Sequence, residues 1–162
     1  MKTKKLTTLA MTITFALILS YIESRVPALV AIPGIKVGLA NIAVIFTLYK
    51  FGLKEAIGVS FVRVVIVSML FGSPVSMIYS VAGAFLSLSA MVLLKKLTPL
   101  KEIAVSVCGG VMHNVGQIAM ASIMLSTNVV VYYLPFLLLS GTLAGIAVGA
   151  AAALLINRVP IK

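Results

Sequence analysis

Six apolar stretches follow one another along this chain, at residues 6–22, 37–49, 56–71, 75–94, 103–125 and 132–156, and a single charged side chain, Arg63, falls inside them. A soluble domain of 162 residues could not hide a composition that is 62% hydrophobic, with mean hydropathy +1.22. The solvent for such a chain is lipid. The breaks between stretches carry turn chemistry: Val26-Pro27, Pro33-Gly34, Gly72-Ser73-Pro74, Thr98-Pro99 and Ser126-Thr127-Asn128. The predicted fold is an all-α integral membrane protein, a six-transmembrane-helix bundle forming one polytopic domain over residues 1–162.

Charge placement sets the expected orientation. With the N-terminus in the cytoplasm and the spans alternating, the cytoplasmic ends hold Lys2, Lys4, Lys5, Lys50, Lys54, Lys95, Lys96, Lys101, Arg158 and Lys162, while the external segments hold only Arg25 and Lys36. That bias puts both termini in the cytoplasm of a plasma-membrane protein. It also accounts for the net charge of +10 without invoking nucleic acid, because the cations cluster at span ends rather than on one patch. Lys2–Lys5 before an apolar run resembles the front of a signal peptide. The run ends in Glu23-Ser24-Arg25 with no small-x-small site nearby, so the first span is expected to stay uncleaved.

The inventory of reactive groups is poor. The single cysteine, Cys108, can form no disulfide within the chain and no cysteine zinc site. His113 is the single histidine, there is no aspartate, and the acids are Glu23, Glu55 and Glu102. No Gly-x-x-x-x-Gly-Lys pattern is present, so any ATP drive belongs to partners. The expectation is a non-enzyme without metal or cofactor.

The second stretch, 37–49, is short. Its 13 residues reach roughly 20 Å as helix against a hydrocarbon core of about 30 Å. Two readings stand: residues 27–35 dip into the bilayer or cover its external mouth, or the helix starts earlier, near Gly34, and the bilayer thins. An echo of Leu53-Lys54-Glu55 in Leu100-Lys101-Glu102 is explained locally, since glutamate in a first helical turn suits the helix dipole.

Arg63 is the residue that most invites a function. A charge near the bilayer centre costs on the order of 3 kcal/mol or more and normally faces protein or a water-filled cavity. Arg63 lies about eight residues into its span, roughly 12 Å deep. His113, eleven residues past Glu102 and so roughly 16 Å deep, lies at similar depth. Gly110, His113, Asn114 and Gln117 follow the i, i+3, i+4, i+7 pattern of one helix face. In the functional reading, Arg63 recognises an anionic group by a bidentate pair while His113, Asn114 and Gln117 fix orientation. In the structural reading these groups are interhelical glue. No acid is expected at the depth of Arg63. Lys36 and Asn41, at the external end of the second stretch, would guide an anion inward or anchor to headgroups, as would Arg25. Small residues recur at four-residue spacing at Thr8, Thr12, Ala16 and Ser20, and again at Gly141, Gly145, Gly149 and Ala153. Such stripes let helix backbones approach, within the chain or against a partner.

Three segments, Pro33-Gly34-Ile35-Lys36-Val37-Gly38-Leu39-Ala40-Asn41, Phe61-Val62-Arg63 with Phe71-Gly72, and Gly109-Gly110-Val111-Met112-His113-Asn114-Val115-Gly116-Gln117, resemble the Gx transporter family, also called heptaprenyl diphosphate synthase component I. That family is in turn similar to the substrate-binding S components of energy-coupling-factor vitamin transporters. The resemblance implies a substrate site in the external half, capped by external loops. It also implies a first helix whose small-residue face (Thr8, Thr12, Ala16, Ser20) meets a coupling subunit with its ATPase module. In S components that face is commonly alanine-rich, and here it is not. The synthase part of the name fails on residues: the usual prenyl diphosphate synthases hold Mg²⁺ through aspartate-rich motifs, and this chain has no aspartate.

The expected function is therefore membrane-embedded binding and uptake of a small organic solute: a vitamin, a cofactor precursor or an isoprenoid-related compound. Its expected site is Arg63, His113, Asn114, Gln117, Asn41 and Lys36. The rival expectation is a non-catalytic membrane subunit in quinone, prenyl-lipid or flavin-linked electron-transfer metabolism. An enzyme using His113 as acid–base group has no visible acid partner to support it.

Overall fold

The structure, a computed structural model, describes residues 2–25 and 38–159. Among these residues there is no strand; six α-helices and one 3₁₀ helix make up the fold. They are α1 (Lys2–Arg25), α2 (Asn41–Lys50), α3 (Leu53–Phe71), α4 (Pro74–Leu97), α5 (Glu102–Leu125) and α6 (Leu134–Arg158), with Val129–Tyr133 as the 3₁₀ helix ahead of α6. Four of them are long and apolar enough to cross a membrane: α1, α4, α5, and α6 with its 3₁₀ lead. Helix α3 carries Lys54, Glu55 and Arg63 within 19 residues, and α2 is only 10 residues long.

The helix ends follow local chemistry. Ser73 caps α4 in a reciprocal box with Ser76, and Pro74, which has no amide hydrogen to lose, starts the helix. Ser126 closes α5 in the left-handed region at φ 50°. Gly52, at φ 106°, makes the sharp joint between α2 and α3. One orphan carbonyl at the end of α2 finds a side-chain donor: Lys95 Nζ of α4 bonds the Leu48 oxygen at 2.8 Å and lies 4.4 Å from the centre of the Tyr49 ring.

Helix α2 decides the architecture. Ile42 through Leu48 are all buried, so this helix is enclosed on every side rather than facing lipid. It touches α1, α3 and α6. Its side chains join Met91 of α4, Val105 of α5 and Val148 of α6 in one cluster, and Ala16 of α1 and Val59 of α3 in another. The stretch 37–49 is thus not a membrane-length span. Of its two readings, the earlier-starting helix is overturned: Gly38 sits at φ 84° and residues 38–40 form a turn ahead of α2. Residues 27–35 lie outside the described residues. The outer faces of the long helices carry exposed Leu6, Met69, Phe85, Leu97, Ile123 and Leu143, as lipid-facing surfaces do.

Helices α4, α5 and α6 pack side by side with α5 between the other two. Glycine permits the approach. A Cβ on Gly145 would lie 2.6 Å from Val107 Cα, and one on Gly149 2.7 Å from Ile103 Cα. The glycine stripe of α6 therefore meets α5 of its own chain. The small-residue stripe of α1 is also used internally: Thr12, Ala16 and Ser20 are buried, Thr8 is half-buried, and Ala16 packs with α2 and α3. Of the two readings of this stripe, within the chain or against a partner, the burial of Thr12, Ala16 and Ser20 favours the first.

Candidate functional site

On α3 the buried residues are Ala56, Val59, Ser60, Arg63, Val64, Val67 and Ser68, one face at helical spacing. Arg63 belongs to that inward face. It is 8% exposed, and its Nε has no hydrogen-bond partner among the described residues. A buried guanidinium nitrogen left in this state is costly in apolar surroundings.

The groups around it come from four elements and the turn before α2. One small cavity is lined by Ser20 and Glu23 of α1, Gly38 of that turn, Arg63, Val64, Val67 and Ser68 of α3, Ser80 of α4, and His113 and Gln117 of α5. It lies toward the end of the bundle where α1, α3 and α5 finish and α4 begins. The cation and the imidazole–amide pair do meet, as the sequence spacing suggested for Arg63, His113 and Gln117. Helix α4 reaches them because of Gly83: a Cβ there would stand 2.9 Å from Gln117 Cγ and 2.9 Å from the His113 carbonyl oxygen.

Glu23 was not anticipated at this site. Its carboxylate accepts a hydrogen bond from the Gly38 amide, and it lies close enough to act electrostatically on Arg63. The expectation of no acid at the depth of Arg63 is therefore overturned. The reason is that α1 brings Glu23, in its last turn, inward on the face continued from Thr12, Ala16 and Ser20. A signal was available: Glu23 follows Ser20 by three residues, so it extends the small-residue stripe by one helical step.

The face expected to unite Gly110, His113, Asn114 and Gln117 is split between two neighbours. Asn114 turns toward α6 and donates from Nδ2 to the Leu137 carbonyl at 2.7 Å. Gly110 lies under Gly141, where a Cβ would meet the Gly141 oxygen at 2.6 Å. Asn114 is therefore interhelical glue and not part of the cavity. Asn41 is half-buried and lines a different and smaller void, of about 10 Å³, with Ser87, Ser106 and Gly109. Gly38 borders both spaces. Lys36 lies outside the described residues.

The Arg63 cavity has a volume of about 30 Å³, space for a water molecule or a small head group rather than a whole vitamin. Outside it, a wider apolar groove of about 440 Å³ runs between α3 and α4, bordered by Ile57, Phe61, Val81, Phe85 and Leu88. Among the described residues no three of His, Cys, Asp and Glu come together where they could hold a metal ion.

Against known proteins, one family model, heptaprenyl diphosphate synthase component I, matches residues 12–155. No curated protein and no solved structure matches the chain.

Proposed function

The chain belongs to the heptaprenyl diphosphate synthase component I family, and on that premise we propose that it is a non-catalytic, multi-pass membrane protein that binds a small organic solute for uptake. In this reading all six helices form one membrane domain built like an S component, in the plasma membrane with both termini cytoplasmic. The observation that carries it is the shared cavity: Arg63, buried and with an unpartnered Nε, lines one space with His113 and Gln117. Arg63 would supply the charged donor, and His113 and Gln117 the neutral polar contacts that orient the ligand. Any coupling subunit would have to use a surface other than the buried stripe of α1.

The test is a ligand-induced shift in melting temperature across a metabolite set, on the purified protein and on Arg63→Ala. A compound that raises the melting temperature of the wild type and not of the variant supports the site, since a ligand stabilises in proportion to its occupancy of the folded state. No shift with any compound removes the reading.

A second reading, a scaffold subunit in quinone, prenyl-lipid or flavin-linked electron-transfer metabolism, is favoured by the word "component" in the family's description and by the glue role of Asn114. It expects a partner subunit to co-purify and Arg63→Ala to alter stability alone.

A further inference from the structure

The two spaces beside α3 differ in a way that narrows the ligand. The polar cavity offers about 30 Å³, room for a few water-sized groups, whereas pockets for whole organic ligands run to about 300–1,000 Å³. The neighbouring groove between α3 and α4, at about 440 Å³, falls in that range and is lined almost wholly by carbon. Val64 borders both. Along α3, Ile57, Ser60, Phe61 and Val64 follow i, i+3, i+4, i+7 into the groove, while Arg63, next in sequence to Val64, lines the cavity. Val64 thus lines both the carbon-lined trough and the cavity that holds Arg63, whose buried Nε has no hydrogen-bond partner among the described residues. At the rim of the trough Phe61 and Phe85 are 65% and 73% exposed, on the side where lipid would lie.

Building on the solute-binding reading above, we propose that the ligand is an amphiphile, with a compact oxygen head at Arg63 and an apolar chain in the α3–α4 groove, reached sideways from the bilayer. The head carries at most one negative charge. Glu23 shares the cavity with Arg63, so the two fixed charges nearly cancel, and a diphosphate would bring several negative charges with no second cation among the described lining residues to meet them. An oxygen acceptor such as an alcohol or a carbonyl takes the guanidinium N–H without that cost.

A second groove provides the control. Between α4 and α5 a trough of about 520 Å³, lined by Met77, Ile78, Met120 and Ile123 among others, is equally apolar but borders no described residue of the Arg63 cavity. Bulk lipid would fill both troughs alike.

The experiment uses the full chain in phosphatidylcholine nanodiscs and a photoreactive farnesol carrying a diazirine on its chain. Cross-linked peptides are mapped by mass spectrometry, with unlabelled farnesol, farnesyl diphosphate and riboflavin as competitors. Val81 and Phe85 line both grooves, so the comparison uses the residues that each groove has to itself: the expected result is labelling of residues 53–64 and 88–92 above that of residues 116–123. Farnesol displaces the probe and farnesyl diphosphate does not. Arg63→Gln weakens probe binding about tenfold, the size of one lost charged hydrogen bond. Ala84→Phe, which fills the groove, abolishes the preferential labelling, and Ala119→Phe in the control groove leaves it unchanged. Equal labelling of the two grooves overturns the proposal even if neither variant folds, because that comparison is made on the wild type. Riboflavin protection that is lost in Arg63→Ala but intact in Ala84→Phe would retain the solute-binding reading and end the amphiphile.

Discussion

Replacing Gly145 by alanine tests the packing on which the bundle rests. A Cβ at this position would lie 2.6 Å from Val107 Cα, 3.1 Å from Val107 N and 3.1 Å from the Ser106 oxygen. All three are backbone atoms in the second turn of α5, so none can rotate away. Relief needs α5 and α6 to separate by roughly 1 Å, and a gap of that size forfeits a quarter to a half of the dispersion well for each contact along the seam. Overpacking of this kind costs about 1–3 kcal/mol. Alanine also returns about 1 kcal/mol of helix propensity relative to glycine, which partly offsets the clash. Gly58 of α3 isolates that gain, because a Cβ there meets nothing within 4 Å. The expectation is therefore a difference: Gly58→Ala melts at or above the wild type, and Gly145→Ala lies below Gly58→Ala by about 1–3 kcal/mol, or roughly 2–12 °C at ~2–4 °C per kcal/mol for a chain of this size. Both are read by thermal unfolding in one detergent, with Gly145→Val as a more severe step. If Gly145→Ala melts with Gly58→Ala, the backbones of α5 and α6 do not approach as described, and the assignment of the glycine stripe to this chain falls with them.

Asn114→Leu should cost about 0.6 kcal/mol, and at most about 1.7, while ligand-induced thermal shifts persist, because Asn114 bonds Leu137 outside the cavity. Loss of ligand response in that variant would return Asn114 to the site. Lys95→Ala should destabilise by about 1–3 kcal/mol through loss of the Leu48 hydrogen bond and the contact with Tyr49, whereas Lys96→Ala, at an exposed neighbour, should change melting little. At the end of α3 ahead of the span, the hydrogen bond from Lys5 holds the Glu55 carboxyl below the ordinary carboxylate value. A lowered carboxylate stabilises the fold above its unfolded pKa and stops doing so as pH falls through the folded one. The melting difference between wild type and Glu55→Gln should thus be present at neutral pH, shrink on acidification and shrink in high salt; a difference that grows toward low pH contradicts the pairing.

The site was partly legible in the sequence. A lone arginine inside an apolar run is conspicuous because hydrocarbon penalises charge wherever it sits, and the spacing of His113 and Gln117 put them at its depth. Asn114 misled for a geometric reason: a helix face a hundred degrees wide can touch two neighbours at once, and α5 has α4 on one side and α6 on the other. Glu23 stands at the end of its span, where an acid in the sequence reads as interfacial, and only the packing of α1 places it inside.

Hydropathy alone determined that this chain lives in lipid as helices, since 62% hydrophobic residues in long uncharged runs leave no other solvent for them. Hydropathy could not determine which helix would be the centre. The stretch at 37–49 is apolar all round, and a membrane span and a buried core helix share that pattern; only its enclosure by α1, α3 and α6, and a turn at Gly38 with positive φ, made it the post around which the others stand. The pairing of charges was likewise a tertiary decision, because Glu23 and Arg63 are forty residues apart in sequence and become neighbours only when α1 packs against α3.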